Sequence, residues 1–150
     1  GKRPGAPELQ KGFFIEPTIF TNCHTKMHIV QEESFGPVLT IEKFETEEEA
    51  VRLANDSVFG LAGAVWTRDM NRAERVVRKL RMGTTWINDY HPYFPQAPWG
   101  GYKQSGIGRE LSHVGIEEYT EIKHIYMNTR PEPMNWFKEV KEEESQLAEF

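Results

Sequence analysis

A single cysteine, Cys23, among 150 residues removes any disulfide within the chain, so the fold has to rest on packing and hydrogen bonds alone. Flanked by Thr21-Asn22 and His24-Thr25, that cysteine reads as inert packing beside a turn. Long apolar runs are also missing. The longest, such as Leu61 to Trp66, fall far short of the roughly 20 residues that cross a bilayer. Positive charge is in deficit too. With 18 Lys and Arg against 23 Asp and Glu the formal charge is -5, and the basic residues are scattered among carboxylates, which disfavours nucleic acid or anionic lipid as partners. The start lacks the basic-then-apolar shape of a signal peptide, so the cytoplasm is the expected compartment. His24 and His28 stand four apart without a third ligand nearby, and no metal site is expected.

What is present reads as α/β. Residues 1–12, rich in Pro, Gly and charge, form a linker or cut loop. Phe13 to Phe20, aromatic and β-branched around Pro17, suits an edge strand or an extended segment, because proline cannot donate to a ladder. Val38 to Phe44 alternates as a strand should. Thr46-Glu47-Glu48-Glu49 is a capping box, with Glu49 reaching back, ahead of the apolar face of Ala50, Val51, Leu53 and Ala54. Leu61 to Thr67 is small, apolar and uncharged, as in a strand covered on both faces. Asp69 can cap a helix in which Ala73, Val76, Val77 and Leu80 share one face, and Gly83 ends it. Thr84 to Asn88 is again β-rich. The order strand, helix, strand, helix, strand over Val38 to Asn88 predicts parallel pairing through crossover helices. Ser105 to Leu111 holds Gly106 and Gly108 before a possible helix start at Arg109, but lacks the strand and third glycine of a dinucleotide fingerprint. Glu117 to Asn128 alternates, with Tyr119, Glu121 and Lys123 on one side and Ile122, His124 and Tyr126 on the other. Lys138 to Phe150 sets two lysines against five glutamates and predicts a frayed helix or disorder.

Two segments are too unusual for plain core. Asn88 to Gly106 packs aromatics between prolines and then breaks into glycines, so its rings can stand around a cavity with little entropy left to lose. Core packing is the plainer reading of Tyr93 and Trp99; the sharper one is a cage of ring faces for a quaternary ammonium, which has no hydrogen-bond donor. Glu32 to Pro37 sets a carboxylate two residues from Phe35 at a Gly-Pro turn. A solvated glutamate beside a core phenylalanine is the plainer reading of Glu33 and Phe35. The sharper one is a ribose hydroxyl grip beside a flat apolar face. Asn88 reads as a side chain that ties the loop by hydrogen bonds.

Three strings, in order, resemble the aldehyde dehydrogenases: EESFGPV at Glu32 to Val38, GTTWIN at Gly83 to Asn88, and PWGGYKQSGIGRE at Pro98 to Glu110. The likeness runs from about Lys11 to Thr129. Within that family, QAPWGG at Gln96 to Gly101 and NWF at 135–137 are most similar to the betaine aldehyde branch. The resemblance implies that residues 13–114 are the C-terminal part of a catalytic domain, that 115–130 form an oligomerisation strand joining a sheet with another subunit, and that 131–150 are a tail. It implies that Glu33 holds the nicotinamide ribose of NAD or NADP, that Phe35 lies against the cofactor, and that Tyr93 and Trp99 line the aldehyde pocket. Carbonyls around Lys103 are a minor candidate for a monovalent cation. The family's nucleophile lies in G-Q-x-C and its general base in E-L-G-G-K, and neither string occurs here. The expectation is therefore a C-terminal fragment, inactive alone, of an enzyme oxidising betaine aldehyde to glycine betaine. The alternatives are a free-standing quaternary-ammonium binder and a subunit-docking module.

Overall fold

The computed structural model describes residues 1–134 and 136. Asn135 and Phe137 of the NWF string, and the tail expectation over 138–150, lie outside the described residues. After a 3-10 turn at Pro7–Leu9, the elements run β1 (Thr18–Phe20), α1 (His28–Gln31), β2 (Val38–Thr40), α2 (Glu47–Asn55), β3 (Phe59–Gly60), β4 (Ala62–Val65), α3 (Met70–Val77), β5 (Thr84–Ile87), β6 (Tyr102–Lys103) and α4 (Ser112–Glu117). No helix among the described residues is long and apolar enough to cross a membrane.

The helix starts follow from local chemistry. Thr46 Oγ1 accepts a hydrogen bond from the Glu49 N–H at 3.1 Å, while Glu49 Oε2 accepts from the Glu45 N–H at 2.9 Å, one residue upstream of the box expected from sequence. Asp69 Oδ1 accepts from the Arg72 N–H at 3.0 Å and opens α3. Ala73 and Val76, three apart, are the buried pair of that helix. Glu47 binds Arg75 at two points, 2.8 and 2.7 Å, and so couples the start of α2 to α3. The Arg75 hydrogen bond holds the Glu47 carboxyl below the usual carboxylate range against an opposing effect of burial, with Lys79 and Arg72 adding to it. At the other end of α2, Asn55 donates to the Lys79 carbonyl and accepts from the Arg81 N–H.

Parallel pairing through a crossover helix is present between β4 and β5, with Ala62 opposite Thr84 and Val65 opposite Ile87. A second parallel pair joins β1 to β2. The expected continuous run from Val38 to Asn88 is instead divided, because β2 pairs backward with β1, and β1 itself begins only after Pro17, where ladder donors become available. A third pair, antiparallel β3–β6, was not foreseen: Tyr102 and Lys103 leave the long loop to pair with Gly60 and Phe59. The single chain shows no strand over residues 115–130, where the resemblance places an oligomerisation strand shared with another subunit. Helix α4 takes Ser112–Glu117, and residues 118–128 pair with nothing among the described residues, since a strand exists only against a partner edge. Tyr119, Ile122, Ile125 and Tyr126 are all exposed there.

Burial is shallow. The chain exposes 13675 Å², whereas a folded monomer of 17.4 kDa exposes roughly 7,900 Å² on the usual scaling with mass.

Candidate functional site

Strand β5 ends at Asn88, whose backbone takes a left-handed turn at φ 52°. Its N–H still donates to the Val65 carbonyl, so the ladder closes before the chain leaves the sheet. The Asn88 side chain then clamps the end of β4: Oδ1 accepts from the Thr67 N–H at 2.8 Å and Nδ2 donates to the Thr67 carbonyl at 2.9 Å. This is the tie expected of that residue. A second left-handed residue, His91 at φ 74°, folds the loop back over the sheet.

The far end of the loop is pinned as firmly. Trp99 and Glu110 exchange two backbone hydrogen bonds of 2.8 and 2.7 Å, and the Ser112 N–H donates to the Pro95 carbonyl. Gly83, at the entry to β5, lies so close to Gly100 that a methyl group there would meet the Gly100 carbonyl. Arg109 donates to the carbonyls of Gly101 and Gly108 and sits over the Tyr102 ring, which holds the glycine stretch in shape.

These anchors gather five rings. Tyr93 and Trp99 meet edge to face at 4.7 Å, Trp86 lies 6.1 Å from Trp99, and His91 stands 4.8 Å from Tyr93 and 5.1 Å from Tyr90. His91 is also stacked nearly parallel to Trp86, at 6.2 Å and 13°. With the small residues of β4 they wall a cavity of about 220 Å³ that no Asp, Glu, Lys or Arg among the described residues lines. A concave site of rings without formal charge suits an apolar or cationic guest. The sequence singles out Tyr93 and Trp99, and the fold adds Tyr90 to them. Phe94 is not in ring contact with this cluster, whereas Trp86 and His91 are.

Glu33 and Phe35 are placed elsewhere. Glu33 lines a separate cavity of about 450 Å³ between α1 and the start of β4, with Val30, Ser57, Met82 and Ser105. Leu61 and Ala62 border both this cavity and the aromatic one, so the two concavities adjoin at the start of β4. Beside Glu33, Glu32 pairs with His28 at 2.7 Å, and Gln31 donates to the Asp56 carbonyl. No ion pair among the described residues engages the Glu33 carboxylate. Phe35 is 95% exposed and borders neither cavity. The turn that presents it is fixed by the Thr18 N–H donating to the Pro37 carbonyl. Lys103 Nζ donates to the carbonyls of Asn55 and Ser57, both at 2.9 Å.

The model of the aldehyde dehydrogenase family matches residues 1–125. The chain belongs to the aldehyde dehydrogenase family. It is 68% identical over 137 residues to the betaine aldehyde dehydrogenase of Bacillus subtilis, which covers 91% of this chain and 28% of that protein. It is 49% identical over 138 residues to the peroxisomal aminoaldehyde dehydrogenase 1 of Pisum sativum, covering 92% of this chain and 27% of that one. Among solved structures it superimposes with a TM-score of 0.85 and 63% identity on a betaine aldehyde dehydrogenase from Staphylococcus aureus in complex with NAD+, over 92% of this chain and 27% of that one. The chain thus spans little more than a quarter of the aldehyde dehydrogenases it matches.

Proposed function

We propose that this chain supplies one wall of the substrate pocket and part of the cofactor grip of an NAD(P)-dependent aldehyde dehydrogenase that oxidises betaine aldehyde to glycine betaine. The observation that carries the reading is the cage of Trp86, Tyr90, His91, Tyr93 and Trp99, whose cavity wall bears no Asp, Glu, Lys or Arg among the described residues. A trimethylammonium group binds ring faces because it offers no hydrogen-bond donor, and each face contributes about 0.5 to 2 kcal/mol depending on desolvation. Tyr93 and Trp99 are the rings assigned to the substrate. A primary ammonium aldehyde presents the same charge, and the aminoaldehyde relative keeps that substrate class in view.

Glu33 and Phe35 are assigned to the cofactor. The Glu33 carboxylate has no ion-pair partner among the described residues, as a group accepting two ribose hydroxyls requires, and Phe35 holds a bare ring face toward solvent. Bound there, a nicotinamide would supply the acceptor for the aldehyde's two electrons. The NAD+ complex of the S. aureus relative favours NAD over NADP. The chain holds no G-Q-x-C nucleophile and no E-L-G-G-K base, so the covalent step and water activation belong to polypeptide outside this sequence. Residues 118–128, alternating and exposed, are assigned to a sheet shared with another subunit, and the compartment to the cytoplasm.

The test replaces the matching quarter of the B. subtilis enzyme with this chain and follows NADH formation. Turnover of betaine aldehyde by the chimera, with none by the chain alone, is the expected result. Turnover by the isolated chain, or a chimera active only on uncharged aldehydes, overturns the reading. A non-catalytic cage remains the second reading, favoured by the same rings. In calorimetry it requires saturable heat with betaine on the isolated chain and none with NADH.

A further inference from the structure

We propose that His91 sets the charge selectivity of the aromatic cage, its neutral imidazole completing the wall and its protonated form excluding a cationic guest. The inference rests on the cage reading above and goes beyond it, because that reading assigns only Tyr93 and Trp99 to the substrate.

The carrying observation is the position of His91 inside the ring cluster. Its ring stacks on Trp86 and meets Tyr93 and Tyr90 edge to face, so it stands among the rings on which a quaternary ammonium depends and lines the same cavity. The left-handed backbone at His91 is a conformation that a β-carbon-bearing residue adopts at a cost, and here it accompanies a ring turned onto Trp86. The groups that face His91 make its charge matter. From β4 and the residue before it come Leu61, Ala62, Gly63 and Ala64, from β5 comes Trp86, and from the loop come Tyr90, Tyr93 and Trp99. Apart from the two phenols, none of these titrates. Asp89, two residues before His91, caps the Tyr90 N–H and does not line the cavity. Among the described residues the imidazole is therefore the one group of the wall that can carry positive charge, and histidine as a residue type changes charge across the physiological range. A second positive charge about 6 Å from the guest weakens binding by roughly a hundredfold at the dielectric of a protein surface, and by less where water screens it.

The probes are choline and 3,3-dimethylbutan-1-ol, which share a shape and differ only in a quaternary nitrogen for a quaternary carbon. Each is titrated calorimetrically into the 150-residue chain at about pH 8 and about pH 5.5, on either side of histidine protonation. Choline affinity falls roughly tenfold to a hundredfold at the lower pH while that of the neutral alcohol holds. His91→Gln removes the pH dependence, and His91→Lys binds choline weakly at both pH values while still taking the neutral alcohol. Choline binding that ignores pH, or a pH dependence that survives in His91→Gln, overturns the role of His91 and leaves the cage standing. Choline bound no better than the neutral alcohol at the higher pH sinks the cage, and the role of His91 with it.

Discussion

Replacing Asn88 by alanine tests how the cage is held. The side chain makes two hydrogen bonds to the Thr67 backbone, at 2.8 and 2.9 Å, across the ends of two paired strands. A hydrogen bond contributes about 0.5 to 1.5 kcal/mol net, and because Asn88 is exposed, water can reach the abandoned groups, so the low end applies and the pair is worth about 1 kcal/mol. The backbone adds a second cost. At φ 52° a methyl side chain is disfavoured by about 1 kcal/mol or more, a conformation that asparagine and aspartate tolerate better. The alanine variant therefore loses about 2 kcal/mol. Asn88→Asp separates the two contributions, since it keeps the acceptor for the Thr67 N–H and the tolerance of left-handed backbone but turns an oxygen toward the Thr67 carbonyl. Its loss is about 1 kcal/mol. Urea unfolding followed by tryptophan fluorescence gives both values, with the order parent, aspartate, alanine. An alanine variant as stable as the parent, or an aspartate variant as damaged as alanine, refutes the reasoning.

Other perturbations probe the remaining anchors. Gly83→Ala places a methyl against the Gly100 carbonyl, a backbone atom that cannot rotate away, and costs about 1 to 3 kcal/mol; an unshifted thermal midpoint contradicts that contact. Glu47→Gln changes the pH profile of stability. The folded carboxyl titrates below its unfolded value, so its contribution is present at neutral pH and is lost as pH falls through the lowered folded value; parent and variant melt apart near neutrality and converge in acid, and a gap that persists in acid refutes the pairing with Arg75. Trp99→Ala weakens choline binding by about 2- to 30-fold through one lost cation–π face, and calorimetry that finds choline and its neutral isostere equally affected removes Trp99 from the cation's shell.

What could be read in the sequence was what is decided locally. Thr46 and Asp69 announce helix starts because a cap is a contact over three residues, and the face of Ala73 and Val76 follows from helical spacing. Strands β4 and β5 were legible because α3 between them is a crossover of sufficient length. The β3–β6 pair was not, since two residues meeting two others more than forty positions away leave no local pattern. Trp86 was read as a strand residue and His91 as loop. Only the left-handed turns at Asn88 and His91 bring them onto Tyr93 and Trp99, and neither residue type demands such a turn. For Glu117 to Asn128, alternation marks a segment expected to pair but says nothing about which edge it meets. Within this chain it meets none among the described residues.

The exposed state of the cage bears directly on its chemistry. Tyr90 is 69% and Tyr93 47% exposed, so water competes for the faces that a cation would use. Cation–π attraction rises from about 0.5 kcal/mol at wet sites to about 2 kcal/mol when the partners are dry. The rings of the isolated chain therefore sit at the weak end of that range, and each gains affinity when further polypeptide roofs the cavity. Repulsion from a protonated His91 strengthens with the same drying, because both effects scale inversely with the local dielectric. Selectivity for a cationic aldehyde and its loss on acidification should accordingly both be larger in the B. subtilis chimera than in the chain alone. A chimera whose preference for choline over its neutral isostere is no greater than that of the chain would mean that the rings are not enclosed when the pocket is assembled, and that the cation binds elsewhere.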